Sequence, residues 1–378
     1  MTSKERVHAA LEGRPVDRLP VAVLYSYLYH LDHFSELTGR PQWEAHKWTC
    51  APTEEHLRVY RQLIRLTPFD VLEPLRAPSR EERENVEFTF KDGQLLRRDK
   101  KRGTSQLVTM ASGHAGDYAA NETRYVFSKQ DADDQIKLWR AEQLLAAGVN
   151  DYVDATAAAL GKDHFLLLSM GCVLYACHLY VGLTNLYGML IEEPDLVDYL
   201  CGKILEQNIE NIRSLAAADI DAIFLDDATA TSDMISVAHY ERFSLPYVTE
   251  MVREIHRLNR KAILIYYGGL ADRLEQIAST GADGLLMETS MKGYVNDLEA
   301  TAEAIGDRMT LFGNIDPVGV LQNASDAELE SVIRRQVAAG RKARGFIIST
   351  GSPITPATPL SRVQTFLRLA REIGAAAT

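Results

Sequence analysis

The amino-acid sequence predicts an α/β chain folded as a single (β/α)8 TIM barrel over residues 1–378, with a β-hairpin insertion after the second strand. Three observations predict it. Seven short apolar runs recur at 19–24, 165–170, 222–225, 262–265, 284–287, 309–312 and 346–348, and a weaker eighth lies at 71–75. Continuous apolar runs are what strands buried on both faces require, as in a parallel sheet. Amphipathic stretches of helical period separate most of them. Each run also ends in a polar or glycine-rich cluster, and in such barrels the active site is built at the C-terminal strand ends. The clusters are Tyr25-Ser26-Tyr27, Gly171-Cys172, Asp226-Asp227, Tyr266-Tyr267-Gly268-Gly269, Glu288-Thr289-Ser290, Gly313-Asn314-Ile315-Asp316 and Ser349-Thr350-Gly351-Ser352.

In chain order, residues 1–13 read as a helix capped by Thr2 or Ser3, with Val7, Ala10 and Leu11 on one face. The first strand follows at 19–24. Residues 35–66 are mostly helical, with Leu57, Tyr60, Leu63 and Ile64 spaced for burial. The second strand, 71–75, precedes the interruption at 85–128. There, 86–90 and 94–97 flank Lys91-Asp92-Gly93, and Asp-Gly suits a type I′ hairpin turn. Runs at 107–110 and 124–127 are candidate further strands. Helices at 131–147 and 151–160 lead to the strand at 165–170. Helices at 174–190, 193–217, 238–258, 271–279, 296–305, 326–340 and 360–373 accompany the remaining strands.

Composition excludes several classes. Hydrophobic residues make up 46% and charged residues 25%, as expected of a globular protein. A net charge of −11 argues against a nucleic-acid surface. Four cysteines do not make a disulfide framework in a chain of this size. Thr2-Ser3-Lys4-Glu5-Arg6 contains no signal core, and no apolar run approaches a membrane span. The expectation is a cytoplasmic, reduced protein without a membrane segment.

Carboxylates at strand ends are the first candidates for chemistry. Asp226 and Asp227 end one strand and Glu288 another, and a recessed carboxyl can act as general base, metal ligand or partner of a cation. Adjacent residues on a strand face opposite ways, so at most one of the Asp pair aims into the mouth. The competing role is a helix cap or turn residue, which outweighs catalysis for Asp316. Tyrosines are the second feature: Tyr25, Tyr27 and Tyr29 follow the first strand, Tyr175 and Tyr180 the third, and Tyr266 and Tyr267 end the fifth. A phenol-lined mouth suits an aromatic or cationic ligand, although strand-end tyrosines also simply fill space. His30 and His33 lie three apart. Cys172, Cys177 and His178 hold a metal only if the fold converges them, and Cys177 on an apolar helix reads as core. His114 sits in a glycine-flanked loop of the insertion. Dinucleotide, Walker, zinc-protease and serine-hydrolase motifs are absent.

Four segments carry a family resemblance. Arg14-Pro15-Val16-Asp17-Arg18-Leu19-Pro20-Val21, Glu241-Arg242-Phe243-Ser244-Leu245-Pro246-Tyr247, Gly313-Asn314-Ile315-Asp316-Pro317 and the stretch from Gly345 through Ser352-Pro353-Ile354-Thr355-Pro356 to Pro359 resemble the uroporphyrinogen decarboxylase superfamily. The resemblance implies a (β/α)8 barrel with one of two activities: cofactor-independent decarboxylation, or methyl transfer to or from a corrinoid. Departures narrow the choice. The decarboxylases carry arginines just past the first strand, where this chain has Tyr25-Ser26-Tyr27-Leu28-Tyr29-His30. Their C-terminal histidine falls at Ser352, and their aspartate after the second strand has at best a counterpart in Glu73. The superfamily's zinc-dependent methyltransferases use His-x-Cys and a later Cys, which fall at Ile265-Tyr266-Tyr267 and Ser352. No zinc is therefore expected, and the sequence offers no convincing ligand set for another metal.

The resemblance thus implies a corrinoid-linked methyltransferase, with carboxy-lyase activity as the alternative. A small methylated substrate occupies the mouth, and the corrinoid (cobalamin) arrives on a separate partner protein, since no cobalamin domain is present. Glu288, Asp227 and Asp226 are the catalytic candidates. Tyr25, Tyr27, Tyr29, His30, Cys172, Tyr175, His178, Tyr266, Tyr267, Asn314 and Ser352 are the candidates for substrate binding. A homodimer is compatible with this expectation.

Overall fold

In the computed structural model, which describes residues 1–108, 123–291 and 293–377, the chain builds a curled parallel sheet wrapped by helices. His114 and the end of the run at 107–110 lie outside the described residues. The strands in chain order are β1 (Val71–Leu72), β2 (Val86–Lys91), β3 (Gln94–Asp99), β4 (Thr104–Val108), β5 (Phe165–Gly171), β6 (Ala222–Asp226), β7 (Lys261–Tyr266), β8 (Gly284–Met287), β9 (Thr310–Phe312) and β10 (Phe346–Ile347). Seven of them form the parallel sheet, in the order β1-β5-β6-β7-β8-β9-β10.

The expected first strand is reduced to extended backbone, but its bonds fall where a strand would make them. Ala22 N donates to Ile348 O at 3.0 Å and Ile348 N to Pro20 O at 2.9 Å, while Asp70 N donates to Val21 O at 2.8 Å. The segment at 20–22 therefore joins both edges of the curled sheet. Pro20 has no amide to donate, which shortens the ladder there.

Alternation along the strands sorts the apolar residues into two layers. Ala22, Leu24, Val71, Phe165, Leu167, Ala222, Phe224, Ile263, Ile265, Leu286, Phe312 and Ile347 pack in an inner cluster. Leu166, Leu168, Ile223, Leu225, Leu264, Leu285, Leu311 and Ile348 pack outward against the helices. This period of two explains why each run is apolar throughout: both faces are buried. Helix Ser3–Leu11, held by a capping box between Thr2 and Glu5, adds Val7, Ala10 and Leu11 to the inner cluster.

Three expected helices are broken. The stretch at 131–147 divides into Lys129–Gln135 and Ala141–Ala146. The apolar stretch at 174–190 divides at Gly182, whose φ of 77° no helix accommodates, and its halves bend by 106°. The stretch at 238–258 divides at Ser244, giving Val237–Phe243 and Leu245–Arg257. In the second half, Val248, Met251, Val252 and Ile255 form the buried face. No single helix among the described residues is long and apolar enough to cross a membrane.

Strands β2, β3 and β4 make a separate antiparallel sheet. Asp92 and Gly93 turn between β2 and β3 with φ of 51° and 76°, the two positive values a type I′ turn requires. Residues 124–127 are not a strand.

Candidate active site

Strand register decides which polar residues enter the barrel mouth. Asp226 pairs with Gly171 on β5 and Ile265 on β7, and continues the inward parity of Ala222 and Phe224. One inward step beyond Ile265 comes Tyr267, and one beyond Leu286 comes Glu288. Tyr266 pairs with Met287, so Tyr267 and Glu288 leave adjacent strands side by side. On β1 the same parity carries Val71 to Glu73.

The inner group centres on Tyr25. Its backbone is left-handed, with φ of 59°, which turns the chain from the extended segment into helix Ser26–Asp32. Glu73 holds that turn: its carboxylate accepts from Tyr25 N at 2.8 Å and from Ser26 Oγ at 3.2 Å. The Tyr25 hydroxyl donates in a short contact to Asp226 Oδ2, and Ala228 N donates to Asp226 Oδ1 at 3.0 Å. The Tyr25 ring lies 4.9 Å from Phe224, 5.9 Å from Tyr27 and 6.0 Å from Tyr267, centroid to centroid. Beside this group, Glu288 accepts from Ser352 Oγ at 2.8 Å and, in a short contact, from the Tyr294 hydroxyl. Gly351 allows this approach, because a Cβ there would stand 2.5 Å from Thr289 N.

Burial sets the protonation of these acids. It lifts Asp226 to about 6, against the opposing pull of the Tyr25 hydroxyl and the Ala228 amide. It lifts Glu73 to about 8 despite the amides that favour its anion. The Tyr25 phenol is pushed well above its ordinary range by burial and then by the Asp226 charge, so it remains a donor.

Several sequence candidates stand elsewhere. Asp227 has the outward parity of Ile223 and Leu225, and it accepts from Ser244 Oγ on the helix side; the break before Leu245–Arg257 is what brings Ser244 there. Burial lifts Asp227 to about 7. Tyr266 also faces outward, its hydroxyl 2.8 Å from that of Tyr240. Cys172 packs in the outer cluster, where burial raises its thiol, and Cys177 and Cys201 are buried free thiols 3.6 Å apart. Tyr29 donates to Thr358 O at 3.1 Å and stacks on His33. His30 bonds Thr67 Oγ1 at 2.8 Å, and burial holds it neutral, near 3. His178 is buried with its ring 4.8 Å from that of Tyr175, whose ring lies against Gly171 at the end of β5. Asn314 spends its amide on Glu288 O at 3.3 Å, Asn296 O at 2.8 Å and Gln336 Nε2 at 3.0 Å, and so ties the β8 and β9 ends together. Asp316 caps residues Pro317–Gln322 through Val318 N and Gly319 N, the capping role favoured from sequence.

Sequence reasoning passed over Tyr294, on a loop with no strand pattern to mark it, and gave Glu73 only as a weak counterpart of the family's aspartate, inside a run at 71–75 of which only Val71–Leu72 is strand. No three His, Cys, Asp or Glu side chains among the described residues are grouped to hold a metal ion. At the places of the superfamily's zinc ligands, Ile265 belongs to the inner apolar cluster and Ser352 donates to Glu288, so these residues do not fit a zinc site of the His-x-Cys plus Cys type.

Comparison with known proteins agrees with this architecture. The chain is 28% identical over 182 residues to uroporphyrinogen decarboxylase of Tolumonas auensis, a match covering 47% of this chain and 49% of that protein. It therefore spans about half the length of the first curated relatives it matches. It is 23% identical over 378 residues to the methylcobamide:CoM methyltransferase MtbA of Methanosarcina mazei, covering 98% of both chains. A solved structure, a methyltransferase from Methanosarcina mazei, superposes with a TM-score of 0.67 at 18% identity, covering 98% of this chain and 99% of that one, which shows a shared fold. The family model for uroporphyrinogen decarboxylase (URO-D) matches residues 117–373, so the chain belongs to that family.

Proposed function

We propose that this protein is a corrinoid-linked methyltransferase, which takes a small methylated compound in the mouth of a barrel whose seven-stranded sheet is closed by the extended segment at 20–22. The observation that carries this reading is the set of groups around the mouth: phenols and carboxylates, with no arginine on the segment from Tyr25 to His33 that follows the first extended run. A polycarboxylate would meet Asp226 and Glu288 there and be repelled. The end-to-end likeness to a methylcobamide:CoM methyltransferase, against a half-length likeness to decarboxylases, supports the same reading.

The corrinoid, carried by a separate partner, supplies the nucleophile for the methyl group. This chain's residues bind and orient the donor and manage its proton. Glu288 is half-buried, adjoins Tyr267 and is aimed by Ser352 and Tyr294, so it is the group to protonate or polarise a leaving oxygen or nitrogen. Asp226 fixes Tyr25, and Tyr25 with Tyr27 and Tyr267 forms the wall on which the donor rests. Met234, Met291, Val295 and Val318 are each exposed on segments that follow β6, β8 and β9, where a protein partner could cover them.

The test is incubation of the full chain with reduced cobalamin and a panel of methoxy- and N-methyl compounds, following the demethylated product. Corrinoid-dependent demethylation is expected. Corrinoid-independent release of carbon dioxide from a small carboxylic acid would replace this reading with the lyase.

A further inference from the structure

We propose that the substrate of this site is a small organic cation, a compound bearing a methylated, positively charged nitrogen. The inference rests on the methyl-transfer reading and adds the chemical class of the donor.

Two independent observations carry it. The first is the aromatic wall. Tyr27 and Tyr267 flank Tyr25 with interplanar angles of 54° and 43°, so the three rings form tilted panels and not a parallel stack. Rings inclined in this way can turn more than one π face to a single ligand, and the face of an aromatic ring attracts a cation within about 6 Å of its centroid. The second is the charge of the mouth. Asp226 ends β6 and Glu288 follows β8, with Tyr267 after β7 between them, and both are served by hydroxyl donors: Tyr25 for Asp226, and Ser352 and Tyr294 for Glu288. Among the described residues that turn inward at these strand ends, none is lysine or arginine; Lys292, on the loop after β8, lies outside them. Two carboxylates without a counter-ion among the described residues leave a positive charge to be brought by the ligand.

The chemistry fits the same class. Transfer from a quaternary nitrogen breaks one C–N bond and leaves the electron pair on nitrogen. A neutral tertiary amine departs, and the methyl group passes to the nucleophile of the partner's corrinoid. No proton is consumed, so Glu288 need not be an acid for such a donor: as an anion beside Tyr267 it holds the positive nitrogen.

The test is calorimetric titration of the full chain with choline and with 3,3-dimethyl-1-butanol, its uncharged isostere in which carbon replaces nitrogen. Choline is expected to bind at least tenfold tighter. Tyr267→Leu should weaken choline by about 2- to 30-fold, the range of one lost cation–π contact, whereas Tyr267→Phe keeps the π face and should restore binding. Glu288→Gln should weaken choline and leave the isostere unchanged. Equal affinity for choline and its isostere, or choline binding indifferent to Tyr267→Leu and Glu288→Gln, would overturn the proposal. Methyl transfer from a neutral aryl methyl ether, with no choline preference, would refute the cation and keep the methyltransferase. Selective choline binding without methyl transfer from any donor would do the reverse.

Discussion

Glu73→Gln isolates one buried acid whose ionisation opposes folding. Glu73 is 2% exposed, and its carboxyl caps the turn that carries Tyr25. Its folded pKa is about 8 against an ordinary value of 4.5. Between those values the folded chain keeps a proton that the unfolded chain has released. Stability therefore falls as pH rises through this window, and below 4.5 both states hold the proton and the effect vanishes. At about 1.36 kcal/mol per pKa unit, the full difference is about 5 kcal/mol by pH 8. Glutamine mimics the protonated acid, with one acceptor oxygen and one donor group in the same volume, so the variant should match wild type near pH 4.5. Urea unfolding of both proteins at pH 5, 6, 7 and 8 measures the difference, and contributions of Asp226 and Asp227 cancel to first order. The variant should gain on wild type steadily, by up to about 5 kcal/mol at pH 8. A stability difference that stays constant across that range would refute the argument that burial dominates over the amides at Glu73.

Further outcomes separate the site from its supports. Asp226→Asn should lower demethylation on the order of 10²-fold or more by freeing Tyr25, whereas Asp227→Asn, on the helix side, should change stability and leave turnover within a few-fold; steady-state kinetics on both variants checks this. With a methoxy donor, whose oxygen must be protonated, Glu288→Gln should cost on the order of 10²–10⁴-fold in turnover. Asp316→Ala should lower thermal stability by about 1 kcal/mol through loss of its two capping bonds, with turnover unchanged. A thiol reagent should modify half-buried Cys50 first and reach Cys172, Cys177 and Cys201 only on unfolding, as mass spectrometry of timed samples would show.

Much of the barrel was legible in the residues because burial on both faces leaves a continuous apolar run, and that signal needs no knowledge of neighbours. Five of the runs recur as β5 to β9 within a residue or so, and β10 is a shortened version of the last. The hairpin was legible because Asp92-Gly93 is one of few dipeptides that accept two positive φ values. The mouth was half legible. Parity says that only one of Asp226 and Asp227 points inward, but which one depends on the phase of the strand against its neighbours, and that is set by register with β5 and β7. The same phase turns Tyr266 outward and Tyr267 inward, and sends Cys172 to the helices. Helix breaks at Gly182 and Ser244, the left-handed turn at Tyr25 and the reach of Ser352 and Tyr294 to Glu288 were invisible in advance. Each joins residues distant in the chain or depends on backbone angles that packing imposes, and local pattern carries neither kind of information.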